Sequence, residues 1–127
     1  MQVFISVLAV GAGGAIGAVS RYLITRKFLL IYGDYLPFGT LFVNILGSFL
    51  IGISFEYFMT RSSLPEEGRL LLTAGFLGAF TTFSAFSLEA VHMIQKEEVI
   101  KALAYITSSV TLCILAAYLG IVVIRQF

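Results

Sequence analysis

The chain has 127 residues, of which 59% are hydrophobic and 12% charged, and its formal net charge is +1. Soluble domains average about 25% charged residues, so this composition excludes an ordinary soluble domain and predicts an all-α integral membrane protein. The small net charge argues against nucleic acid as a partner, and a single cysteine, Cys113, excludes an intrachain disulfide.

An α-helix needs about 20 apolar residues to cross a hydrocarbon core of about 30 Å. Four stretches meet that length, at about residues 3–23, 38–59, 70–94 and 99–124. The short connections hold most of the charge: Arg26, Lys27 and Asp34, then Arg61, Glu66, Glu67 and Arg69, then Lys96, Glu97, Glu98 and Lys101. The expectation is one four-helix transmembrane domain over residues 1–127, with neighbouring helices antiparallel. Met1-Gln2 has no basic side chain and no cleavage site follows the first apolar run, so the first span is read as staying in the membrane.

In the first span Ala9, Gly13 and Gly17 fall on one face, the spacing that lets membrane helices approach closely. Arg21 near its end reads as a cation snorkelling to the headgroups. The alternative is a vestibule residue that concentrates anions. In the second span Pro37 suits a helix start, and Thr40, Asn44, Ser48 and Gly52 share one polar face. The Asn44 amide either glues two helices, worth about 0.6–2 kcal/mol, or offers N–H groups to a permeating anion. Glu56 and Tyr57 fall towards the far interface and read as solvated.

The third span carries the feature that sets this chain apart, Gly75–Ser87, where Gly78, Thr81, Thr82, Ser84 and Ser87 interrupt an apolar run threaded with phenylalanines. Polar groups at bilayer depth line something other than lipid, because an unsatisfied one costs several kcal/mol. Phe76 and Phe80 read as packing. Phe83 and Phe86 share a face among hydroxyls, and the positive edge of an aromatic ring attracts an anion weakly. A helix break over Gly78–Thr82 frees carbonyls that suit a hard cation such as sodium. Glu89 and His92 follow at i+3 steps, either as a solvated pair or, for Glu89, as a residue that tunes ion access. In the fourth span Tyr105 and Ser109 are one turn apart, as a hydroxyl track or as local back-bonds to carbonyls. Cys113 reads as a small packing residue.

Four spans put both termini on one side, with Arg61, Arg69 and Arg125 there and Arg21, Arg26, Lys27, Lys96 and Lys101 opposite. Orientation follows the Lys/Arg bias, which is here nearly absent. One reading is a weakly specified single orientation; the sharper one is dual topology, with opposite copies pairing. Four helices leave little room for a pathway walled on all sides, and an antiparallel dimer supplies the missing wall with the inverted symmetry seen within many transporters.

At this point the residues show a likeness. The chain resembles the CrcB/Fluc fluoride channels along essentially its full length, through Gly13-Gly14-Ala15-Ile16-Gly17-Ala18 with Arg21-Tyr22, Gly39-Thr40-Leu41-Phe42-Val43-Asn44 with Gly47, and Gly75-Phe76-Leu77-Gly78 running into Thr81–Ser87. The resemblance implies an antiparallel, dual-topology homodimer in the bacterial inner membrane. It implies two pores that export fluoride passively. It assigns Phe83 and Phe86 as pore phenylalanines, Asn44 as the pore asparagine, and Tyr105 and Ser109 as the hydroxyl track, with Thr82 and Ser84 beside them. It assigns the Gly78 and Thr81 carbonyls to a structural sodium ion; Arg21 and Glu89 stay vestibule candidates on the reading of the residues alone. Ala85, Ala79 and Cys113 depart from the family's usual threonine, glycine and hydroxyl residues. The alternative is a small proton-coupled multidrug exporter, also of four spans. That chemistry needs an embedded carboxylate, and the first span has none; the chain also has no tryptophan to cage an organic cation. No nucleophile–base pair points to an enzyme.

Overall fold

The structure is a computed structural model describing all 127 residues, Met1–Phe127. It is helical throughout: α1 (Gln2–Tyr32), α2 (Phe38–Thr60), α3 (Glu66–Leu70), a π-helical turn region (Leu71–Leu77), α4 (Gly78–Phe80), α5 (Phe83–Gln95) and α6 (Val99–Gln126). Four stretches are long and apolar enough to cross a membrane: Gln2–Tyr32, Phe38–Thr60, Glu66–Gln95 and Val99–Gln126.

Local chemistry sets the ends. α1 stops at Gly33, whose φ of 72° reverses the chain while its N–H donates to Leu29 O. Pro37 and Pro65 precede α2 and α3, where a missing amide hydrogen costs nothing. α5 closes with the Glu97 N–H on Ile94 O and the Glu98 N–H on Met93 O, and Glu97 adopts φ 62° to allow it. α1 runs about two and a half turns past Leu23, where the apolar run ends, to Tyr32. Arg26 and Lys27 are exposed on that extension. Its other face is held by Phe28 stacked on Phe42 at 5.1 Å and Tyr32 against Phe38 at 5.8 Å.

Two close helix contacts organise the packing. Gly13 and Gly17 of α1 lie against the backbone of Leu71 and Phe76, and a methyl group at either would collide with it. Gly52 of α2 and Gly120 of α6 meet the backbones of Ala117 and Phe49 in the same way. Both are the small-residue contacts that let membrane helices pack without a hydrophobic driving force. α5 joins through Phe86, Ala90 and Met93, buried on Ala102 and Tyr105 of α6. Glu56 is not solvated as its position suggested. It is 7% exposed and takes both Nε and a terminal nitrogen of Arg125, at 3.0 and 3.3 Å, because the close α2–α6 contact brings the helix ends together.

Only 20 of 127 residues are buried within the chain, and large apolar side chains of all four long stretches are exposed, most of all on α1 and α6. That surface suits hydrocarbon or another copy of the chain, not water.

Candidate functional site

The third long stretch changes course at Thr81 (φ −88°, ψ 157°) and Thr82 (φ −151°, ψ 114°), both extended, between α4 and α5. Gly78 keeps helical angles (φ −62°, ψ −36°), so the interruption is narrower than Gly78–Thr82. Its effect on hydrogen bonding nevertheless reaches back to Gly78. In an unbroken helix the Thr82 N–H would donate to Gly78 O. Here it donates to Asn44 Oδ1 at 2.7 Å, and Asn44 Nδ2 donates to Thr82 O at 3.0 Å. The Ala85 N–H turns to Thr82 Oγ1 at 3.1 Å, making Thr82 the cap of α5. The carbonyls of Gly78 and Thr81 thereby lose their helical donors. Ala79 O, the partner Phe83 would have had, accepts Arg21 Nε at 3.0 Å.

Arg21 therefore does not snorkel. It reaches across to the carboxyl end of α4, where a cation is favoured by the exposed carbonyls. Asn44 makes the interhelical bonds that were one of the two readings of its amide. Its amide replaces both missing backbone partners of Thr82. One of its two N–H hydrogens remains uncommitted.

Beyond the break the rings line up. Phe83 and Phe86 lie 5.3 Å apart between centroids, and Phe86 and Tyr105 lie 5.3 Å apart at 49°. Phe86 is buried while Phe83 is 76% exposed. Thr82 Oγ1 and Ser84 Oγ share a hydrogen bond of 3.2 Å. A cavity of about 300 Å³ opens beside these groups, lined among others by Asn44, Thr82, Phe83, Phe86, Ser109 and Cys113. Ser109 is 5% exposed, and its hydroxyl has no partner in the protein. Phe76 and Phe80 stack on each other at 5.5 Å outside it, as packing residues do.

Glu89 is not paired with His92. Its Oε1 accepts the Thr40 hydroxyl and its Oε2 the Tyr105 hydroxyl, each at 2.7 Å. His92 is exposed. Two residues of the α2 and α6 polar faces thus converge on one carboxylate of α5. The spacing of Thr40 four before Asn44 carried this signal, since both point the same way from α2. A second cavity, about 570 Å³, reaches Thr40 and Glu89 past Arg26, His92, Lys96 and Lys101; Arg21 does not line it. At its mouth Lys101 sits 2.8 Å from Glu98 and 4.0 Å over the Tyr35 ring. The hydrogen bond from Lys101 holds the Glu98 carboxyl below its ordinary range. On the other side of the break, Gly78 and Thr81 border a cavity of about 120 Å³ with Gly47, Ser48 and Thr73.

Comparison with known proteins supplies the context for this arrangement. Residues 8–121 match the family described as CrcB-like protein, Camphor Resistance (CrcB). A fluoride-specific ion channel FluC of Rhizobium meliloti (strain 1021) is 46% identical over 119 residues, 94% of this chain and 95% of that one. The protein of the same name in Magnetococcus marinus is 50% identical over 116 residues, 91% of this chain and 94% of its own. That of Hahella chejuensis is 49% identical over 116 residues, 91% of each. The chain is a multi-pass protein of the bacterial inner membrane. With matches running nearly end to end on both sides, it belongs to the CrcB family, a family of ion channels rather than enzymes.

Proposed function

We propose that this chain is a fluoride-selective channel that lets fluoride leave the cytoplasm down its gradient. The observation that carries the reading is the cavity at the helix break, lined by Asn44, Thr82, Phe83, Phe86 and Ser109. Fluoride is small and strongly hydrated, so a selective path replaces its water with several neutral donors. Asn44, Ser109, Thr82, Ser84 and Tyr105 supply N–H and O–H groups. The ring edges of Phe83 and Phe86 supply weak attraction that does not trap the ion.

In this reading the four spans form one domain, and two copies pair in opposite orientations. The exposed face of Phe83 then meets the partner, and each dimer holds two pathways. The third span breaks at mid-bilayer. The Gly78 and Thr81 carbonyls, stripped of helical donors, fit a hard monovalent cation. Sodium held there by both copies supplies a fixed positive charge between the subunits. Arg21 sustains the break from behind, and Glu89, with its two hydroxyl donors, stands where the larger cavity meets the path. The exporter alternative is not favoured, because both oxygens of the one carboxylate near the path are already occupied by hydroxyls.

Fluoride efflux from liposomes containing the purified protein, followed with a fluoride electrode, tests this directly. Fluoride release with chloride retained is the expected result. Equal chloride release, or none of either, sinks the reading.

A further inference from the structure

Gly47 has no role in the reading above, though it stands three residues after Asn44 on α2 and so shares its face. Its surroundings set it apart from other close glycines of the chain. A Cβ at Gly13, Gly17, Gly52 or Gly120 would strike the backbone of a neighbouring segment, which is the clearance that close helix packing needs. A Cβ at Gly47 would overlap one side-chain atom, the Thr81 methyl carbon Cγ2. Its next neighbours would be Phe80 Cδ1 at 3.4 Å and Thr81 Cβ at 3.7 Å, both near ordinary contact distance. Thr81 is not free to turn this methyl aside, because its hydroxyl donates to Leu77 O at 3.0 Å and its N–H to the same oxygen at 3.1 Å. The Thr81 carbonyl and the Thr82 N–H belong to one planar peptide unit, and Asn44 Oδ1 accepts that N–H at 2.7 Å. α2 therefore holds this one peptide at two points, by the amide of Asn44 and by the absent side chain of Gly47.

We infer that Gly47 is a positioning residue for the cation site: the space where its side chain would stand receives the Thr81 methyl and so sets the place of the Thr81 carbonyl. The inference rests on assigning the Gly78 and Thr81 carbonyls to a hard monovalent cation. The donor set fits such a group. The cavity of about 120 Å³ that Gly47 borders is lined by Ser48, Thr73, Gly78 and Thr81 among others, with no charged or sulfur-bearing side chain, and oxygen donors suit hard cations. With a methyl group on residue 47, it or the Thr81 methyl must give by about 1 Å to regain ordinary carbon contact. Binding geometries tolerate about 0.5 Å. Asn44 pins one end of the Thr81–Thr82 peptide and Leu77 O holds the Thr81 hydroxyl, so the displacement falls on the carbonyl between them.

The test is a double-substitution cycle read in sodium. Denaturation midpoints of the purified protein in detergent are recorded over a sodium series at constant ionic strength, with choline replacing sodium. A cation that binds only the folded protein raises the midpoint as its concentration rises. Gly47→Ala should need about tenfold more sodium for the same rise. Thr81→Ser keeps the hydroxyl and removes the methyl, so a Cβ on residue 47 then meets only the contacts at 3.4 and 3.7 Å. In a chain already carrying Thr81→Ser, Gly47→Ala should move the sodium response by less than about twofold. A sodium response that Gly47→Ala leaves in place overturns the inference, even where the midpoint itself falls, because Gly47 is then clearance and nothing more. An equal loss in both backgrounds also overturns it, since the obstacle is then not the Thr81 methyl. Loss of the response in Thr81→Ser and in Gly47→Ala alike supports it, since the seated methyl is then itself the hold. Should Gly47→Ala alone fail to fold, the double variant decides: recovery of the fold with the sodium response of Thr81→Ser supports the inference, and failure of either overturns it. A wild type whose midpoint ignores sodium sinks the cation assignment itself, whatever the variants do.

Discussion

Replacing Asn44 with alanine removes two hydrogen bonds at once, those of 2.7 and 3.0 Å that satisfy the Thr82 N–H and C=O. An unsatisfied buried backbone group costs about 1–3 kcal/mol, so two cost about 2–6 kcal/mol. Hydrogen bonds between membrane helices measure less, about 0.6–1.7 kcal/mol each. Thr82 is half-buried, so water relieves part of the loss, and about 2–3 kcal/mol is the expected destabilisation. Asn44→Asp keeps an acceptor for the Thr82 N–H and should lose less stability. It also sets a carboxylate beside the anion, so its fluoride efflux should be as low as that of Asn44→Ala. Denaturation midpoints in detergent give the first quantity and electrode-monitored efflux from liposomes the second. Wild-type midpoint and efflux in Asn44→Ala would refute the account of the break. A destabilised Asn44→Ala that conducts at the wild-type rate would leave Asn44 a structural residue and remove it from the path.

Phe83→Ile should abolish fluoride efflux with little change in stability, about 0.5 kcal/mol or less, because the ring is 76% exposed in the single chain; retained flux, or loss of dimers on crosslinking, overturns its assignment. Phe86→Ile should also abolish flux but lower the denaturation midpoint, since that ring packs on Tyr105. Tyr105→Phe and Thr40→Val each strip one hydroxyl from Glu89 and should slow efflux while chloride stays excluded; unchanged rates would detach the cluster from the path. Arg125→Ala strips the buried Glu56 of its partner and should lower the midpoint without altering flux per reconstituted chain, which comparison of efflux at equal reconstituted protein would show.

Helix number and approximate span came through in the sequence because they depend on length and apolarity alone. The break was legible for a different reason: Thr81-Thr82-Phe83-Ser84 is costly in a lipid-facing helix, so its presence announces another environment. Its exact extent was not, because the angles at Gly78 depend on a neighbour. Gly78 stays helical while its carbonyl loses a donor only because Asn44, 34 residues earlier in the chain, takes the Thr82 amide. The partners of Arg21, Glu89 and Glu56 went unread for one reason. Each charged residue lies near a span end, where one sequence alone favours water as its partner. Each finds instead a partner from a distant part of the chain: Ala79 O, the Thr40 and Tyr105 hydroxyls, and Arg125. Such pairs leave no periodic trace. The π-helical turns at Leu71–Leu77 were likewise invisible; they lie where the backbones of Leu71 and Phe76 meet Gly13 and Gly17.

Those pairings bear on how an ion could pass quickly. A full positive charge bordering a dry path would bind fluoride tightly and slow its departure, and a full negative charge would exclude it. Arg21 bonds a carbonyl and Glu89 accepts two hydroxyls, so both are held by neutral partners. What lines the cavity at the break is neutral: Asn44, Thr82, Ser109 and the two rings of Phe83 and Phe86. Each is weak alone, and several acting together can replace a hydration shell while no single one holds the ion. The break makes this possible. It takes Asn44 and Arg21 as substitutes for lost helical partners, and so ties the neutrality of the path to the folding of the third span.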